Sequence, residues 1–151
     1  MNPKSVLILI AAFILMASIA GCTSSSKLSP HVAELEITTE STGYTSYMSS
    51  APGLDLEIVR DGTLDNATTV YEWKTDTGNF LTWNPPDFTV TKHGQDFVND
   101  GSRVWWSYLE NNPLADSPVT VAVVARDTES GRITGSGACE LAYMNGLWQM
   151  E

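Results

Sequence analysis

From about residue 33 onward, apolar and polar positions alternate in short runs. In VAELEITTE, Ala33, Leu35 and Ile37 fall on one side of an extended chain, with Glu34, Glu36 and Thr38 on the other. LDLEIVRDG repeats the pattern: Leu54, Leu56 and Ile58 point inward, Asp55 and Glu57 outward, and Asp61-Gly62 makes the turn. In TTVYEWKTDTGNF, Tyr71 and Trp73 are the inward residues and Glu72 and Lys74 the outward ones. VTVAVVARD is apolar on both faces, as a central strand should be. With the turn TESGRI and the strand-like GSGACELAY it predicts a hairpin over residues 119–143. No segment beyond Pro30 sustains apolar residues at helical spacing over three turns. The expected class is all-β: about seven short strands in a two-layer antiparallel sandwich.

The first 21 residues follow a different rule. A lone Lys4 precedes VLILIAAFILMASIA, a 15-residue apolar run from Val6 to Ala20. That is short of the roughly 20 residues a membrane-crossing helix needs. One positive charge, a short apolar stretch and small residues at its end describe a secretory signal helix. The run ends in Ile19, Ala20, Gly21 and Cys22, which resembles the lipobox of bacterial lipoproteins. The resemblance implies that Cys22 is joined through its thiol to diacylglycerol and that the signal is cut between Gly21 and Cys22. It also implies acylation of the new amino group, with fatty chains such as palmitate. One acyl chain binds a bilayer only marginally, at about 0.8 kcal/mol per methylene, whereas two or three make a stable anchor.

The domains expected are therefore a signal over 1–21, a lipidated cysteine and flexible tether over 22–32, and a sandwich over 33–151. TSSSKLSP, polar and ending in proline, is the tether. The folded part is expected at the cell membrane, lipid-anchored and facing outside the cytoplasm, on the extracellular or periplasmic side of the envelope. A second resemblance concerns the body of the chain. The tryptophan of YEWKTDTGNF and the late VTVAVVARDTESG hairpin resemble bacterial immunoglobulin-like or PKD-like domains. This implies an immunoglobulin-like sandwich with Trp73 packed between the sheets, of the kind that lacks the paired cysteines.

Length and composition fit one globular domain plus a targeting segment: 151 residues, 42% apolar and 17% charged. The formal charge of −10, becoming −11 once Lys4 leaves with the signal, argues against nucleic acid as a partner. It equally disfavours attraction to anionic lipid heads. With Cys22 acylated, Cys139 has no partner within the chain and reads as a small core residue.

Catalytic and metal chemistry find little support. The histidines are His31, beside the tether, and His93, in TKHGQD; there is no H-E-x-x-H, C-x-x-C or G-x-S-x-G. Neither a metal nor a cofactor is expected. DGTLDNATTVYE places Asp61, Thr63, Asp65 and Glu72 at calcium-loop spacing, but Asn66 stands where the sharp turn demands glycine. The sequon at Asn66 carries no weight in a bacterial-type chain.

The aromatic residues are the best lead. In RVWWSY, Val104, Trp106 and Tyr108 are expected to face the core, which puts Trp105 on the outer face with Arg103 and Ser107. Trp105 is then a binding anchor or is covered by its neighbours; Trp83, in LTWNPPDF, is a loop platform or an apolar plug. Trp148 is expected to close one end of the sandwich. The function expected is a non-enzymatic binding or structural module of the envelope, touching an envelope protein through Trp105, Trp83 and Arg103. A carbohydrate-binding sandwich contacting cell-wall or extracellular glycans is the alternative, and a small envelope enzyme using His93 a second one.

Overall fold

A computed structural model describes residues 32–47, 50–59, 68–84, 86–108 and 118–151. The signal, Gly21, Cys22, His31 and the turn residues Asp61–Asn66 lie outside the described residues. Eleven strands follow in chain order: β1 (Ala33–Glu34), β2 (Glu36–Thr38), β3 (Leu54–Val59), β4 (Thr69–Thr75), β5 (Asn79–Asn84) and β6 (Thr89–Gly94). They continue with β7 (Asp96–Asn99), β8 (Arg103–Ser107), β9 (Val119–Asp127), β10 (Ile133–Met144) and β11 (Leu147–Met150). No helix among the described residues is long and apolar enough to cross a membrane.

The strands form two sheets. One runs β1-β10-β9-β4-β7, with β11 also paired to β10; the other runs β2-β3-β8-β5-β6. Every pairing is antiparallel except that of β1 with β10. Alternation explains which faces meet. Leu54, Leu56 and Ile58 of β3, Tyr71 and Trp73 of β4, and Val119, Val121, Val123 and Ala125 of β9 are all buried. Val104 and Trp106 of β8 and Tyr108 just beyond it complete the pattern. Trp73 meets Phe80 of the opposite sheet with ring centroids 6.0 Å apart. Trp148 packs edge-on against Trp106 at 5.1 Å and lies close to Tyr108 and Tyr143, filling one end of the core.

Among the described residues the strands number eleven, against an expectation of about seven, and two segments of the sequence show where extra divisions arise. VAELEITTE does not run as one strand: it pairs with β10, crosses at Leu35, and then pairs with β3. The crossing is possible because β10 offers glycine there. A Cβ on Gly137 would lie 2.1 Å from the Leu35 carbonyl oxygen. TTVYEWKTDTGNF is not one strand either, but β4 and the start of β5, which belong to different sheets. Asp55 and Ser107, expected on the solvent side, do occupy the outer face but are buried there, at 7% and 0% exposure.

The strand directions sort the loops into two ends. β1 enters at the end where β3 and β5 finish and where β6, β8 and β10 begin. The β4–β5 turn, the β6–β7 turn and the β10–β11 hairpin lie at the opposite end.

Candidate functional site: an aromatic outer face

The register of the second sheet brings the expected surface residues together. Trp105 on β8 stands between Asp55 of β3 and Leu81 of β5. Trp83 lies two residues beyond Leu81 on the same face of β5. The indoles of Trp83 and Trp105 meet edge to face, with centroids 5.8 Å apart and planes at 85°. That is the geometry the ring quadrupoles favour. Both tryptophans are half-buried. Phe88, at the tip of the β5–β6 hairpin, extends the cluster: its ring lies 5.5 Å from Trp83 and is 60% exposed.

Polar groups frame one side. Arg103 donates to Glu57 at 2.6 Å and pairs with Glu40 at 3.3 Å. The Glu57 hydrogen bond comes first among the causes holding the Arg103 guanidinium above its ordinary value, against the opposing effect of burial. Asp55 is the fixed point beneath this edge. It accepts hydrogen bonds from the Thr39 hydroxyl at 3.2 Å, the Glu40 amide at 3.0 Å and the Ser41 amide at 3.2 Å, and from the Ser41 hydroxyl. Burial alone would push this carboxyl up, but the hydrogen bonds from Ser41, Glu40 and Thr39 outweigh it and the net shift is downward. The 39–41 turn is thus tied to the sheet beside Trp105.

The remaining sequence candidates sit elsewhere. His93 stacks on Phe97 with centroids 3.8 Å apart and planes at 17°, and its Nε2 shares a 3.0 Å hydrogen bond with the Thr82 hydroxyl. It packs between the edges of the two sheets. Glu72 gives both carboxylate oxygens to Arg126, at 2.7 and 3.0 Å, which occupies the group that closes the calcium-like spacing. Among the described residues there is no group of three or more His, Cys, Asp or Glu that could hold a metal ion. Cys139 borders a groove of about 510 Å3 together with Glu34, Glu36, Ile37, Met150 and Glu151. Burial pushes its thiol up to about 11, so it is no nucleophile at neutral pH.

Two features went unread in the sequence. Phe88 follows NPPD, a turn signal that gives no hint of an exposed ring. Asp55 looked like any outward residue of an alternating strand, because its partners lie 14 to 16 positions away. No protein-family model, curated protein or solved structure matches the chain.

Proposed function

We propose that this chain is a lipoprotein held by acyl chains on Cys22 outside the cytoplasmic membrane, with an immunoglobulin-like sandwich that serves the envelope as a non-enzymatic binding or structural module. The observation that carries the reading is the meeting of Trp83 and Trp105 on the outer face of a sheet, in a chain whose N-terminus has the lipobox pattern. Tryptophan and arginine side by side on a supported face are what binding surfaces concentrate.

Strand order supports the immunoglobulin-like assignment. The seven-strand pattern places strands A, B, E and D in one sheet and C, F and G in the other. Here β2, β3, β8 and β5 lie side by side in that order, as do β4, β9 and β10. Reading β2, β3, β4, β5, β8, β9 and β10 as A to G keeps the chain order. Trp73 then falls on strand C, where such domains carry their core tryptophan. β1, β6, β7 and β11 are additions to that frame.

The test is a comparison of wild type with Trp105→Ala, both isolated in mild detergent from the native host. The reading expects a cysteine carrying diacylglycerol by intact mass, and an envelope protein that co-purifies with wild type and is lost from the variant. Unmodified Cys22, or a chain still carrying Met1 to Gly21, would overturn it. Glycan binding is the second reading, favoured by the Arg103 guanidinium and its carboxylate partners Glu57 and Glu40, Arg103 and Glu57 lying on the same sheet face as Trp105. It expects tryptophan quenching on titration with wall polysaccharide, abolished by Trp105→Ala.

A further inference from the structure

Eight large apolar side chains are exposed among the described residues: Val32, Tyr47, Val59, Phe88, Val90, Val98, Ile133 and Met144. Their distribution along the sandwich is uneven. Val32 precedes β1, Val59 ends β3, Ile133 begins β10, and Phe88 and Val90 sit at the β5–β6 tip. All five are at the end where β1 enters. Val98 lies partway along β7, and only Tyr47 and Met144 are at the far end.

Phe88 is the most prominent of the five and the least explained by folding. Its backbone has φ 54°, in the left-handed region that bulky side chains avoid and that Asn, Asp or Gly accept. An asparagine would suit the turn better, yet the position holds an aromatic ring that is 60% in solvent.

Chain length limits how far this end can stand from the anchor. Nine residues lie between Cys22 and Val32, and the ten steps from one to the other reach about 35 Å at most when extended. If Cys22 is acylated, the end bearing Val32 is the one turned toward the bilayer. We propose that this end is a second membrane contact: the β5–β6 tip inserts Phe88, backed by Trp83 and with Val90 on the same hairpin, into the interfacial region of the lipid, while Val32, Val59 and Ile133 lie toward the opposite edge of the same end. The contact is apolar and not charge-driven. Asp87 flanks Phe88, and its carboxylate accepts from the Thr89 amide at 3.3 Å, so a zwitterionic surface suits this tip better than an anionic one. Contact at the tip would hold the domain upright and turn the Trp105–Arg103 side of the sheet sideways, toward other envelope components. The inference rests on the lipoprotein reading for its orientation.

The test uses the full lipidated chain from its native host, reconstituted into phosphatidylcholine vesicles whose acyl chains carry bromine, a contact quencher of tryptophan. Trp83, next to Phe88, is the reporter. Wild type and the far-end control Tyr47→Asn are expected to be quenched alike. Phe88→Asn, whose backbone the turn accepts, is expected to lower the docked-to-undocked ratio about tenfold, the effect of exposing one buried phenylalanine. Equal quenching in wild type and Phe88→Asn would overturn the proposal. So would absent quenching with a co-purifying protein lost in Phe88→Asn, which would give the patch to a protein instead. Intact mass separates the two readings. If Cys22 carries no lipid, the lipoprotein reading falls, yet the same comparison still decides the contact, because bromine reports the depth of the tip however the chain is held.

Discussion

Asp55 offers the sharpest test of how the outer face is built. Its carboxylate, 7% exposed, is the acceptor for two backbone amides and two hydroxyls of the 39–41 turn. Hydrogen bonds to a charged acceptor are worth about 1.5–3 kcal/mol each when isolated, but bonds sharing one acceptor do not add, and water reaches an opened turn. Asp55→Ala is therefore expected to cost about 2–4 kcal/mol in total. Asp55→Asn is a finer probe. Its amide oxygen can replace the oxygen facing Thr39 and Ser41, so only the Glu40 amide loses its acceptor, at about 1–2 kcal/mol. Urea unfolding followed by tryptophan fluorescence reads both. With a slope of about 1–3 kcal/mol per molar, the alanine midpoint should fall by roughly 1–2 M and the asparagine midpoint by about half that. The pH dependence has a definite sign. The folded-state carboxyl titrates below its usual 3.8, so its stabilisation is whole above that value and is lost as pH falls through the lowered one. The gap between wild type and Asp55→Asn should thus narrow on acidification from about pH 6 to about pH 3. Equal losses in the two variants, or a gap indifferent to pH, would refute the reasoning.

Three further outcomes are expected. Gly137→Ala places a methyl on the Leu35 carbonyl and should cost about 1–3 kcal/mol. Hydrogen exchange should show early loss of protection at the Leu35 amide, which donates to the Ser136 carbonyl at 2.9 Å. Leu56→Ala, at a fully buried site between the sheets, should lower unfolding free energy by about 2–5 kcal/mol in the same urea assay while leaving the Trp105 surface in place. Cys139 should resist a thiol reagent at neutral pH until denaturant opens the domain. Because the folded state keeps its thiol proton, stability should hold below 9.0 and decline as pH rises toward about 11.

Much of the fold could be read from local pattern, because burial alternates with a period of two wherever one face of a strand meets a core. RVWWSY is the clearest case: which of two adjacent tryptophans faces inward follows from parity alone, and Trp106 is buried while Trp105 is half-buried. What alternation cannot carry is partnership. Nothing between Tyr71 and Phe80 announces that the chain changes sheets at Asp76–Gly78, since β4 and β5 have the same apolar character. One feature was legible but unread: Asn145-Gly146, both at positive φ between Met144 and Leu147, is the standard two-residue hairpin signal and makes the β10–β11 turn.

The site was less accessible than the fold for a reason of the same kind. Trp83 and Trp105 are 22 residues apart, and they touch only because β5 lies beside β8 with Leu81 opposite Trp105. A one-residue slip of β5 would turn Trp83 inward and break the pair, so the aromatic surface depends on register and not on either local sequence. That register is secured from within. Phe80 packs on Trp73 across the core, and the Trp106 indole N–H donates to the Thr77 carbonyl at 2.9 Å, just before β5 begins. A Cβ at Gly78, which has φ 79°, would meet the same indole at 2.6 Å, so the turn can close only around glycine. The inward tryptophan of the WW pair therefore sets the position of the strand that gives the outward one its neighbour. Trp106→Phe keeps most of the buried ring but removes the N–H, and by this logic it should loosen the Trp83–Trp105 contact more than it lowers global stability.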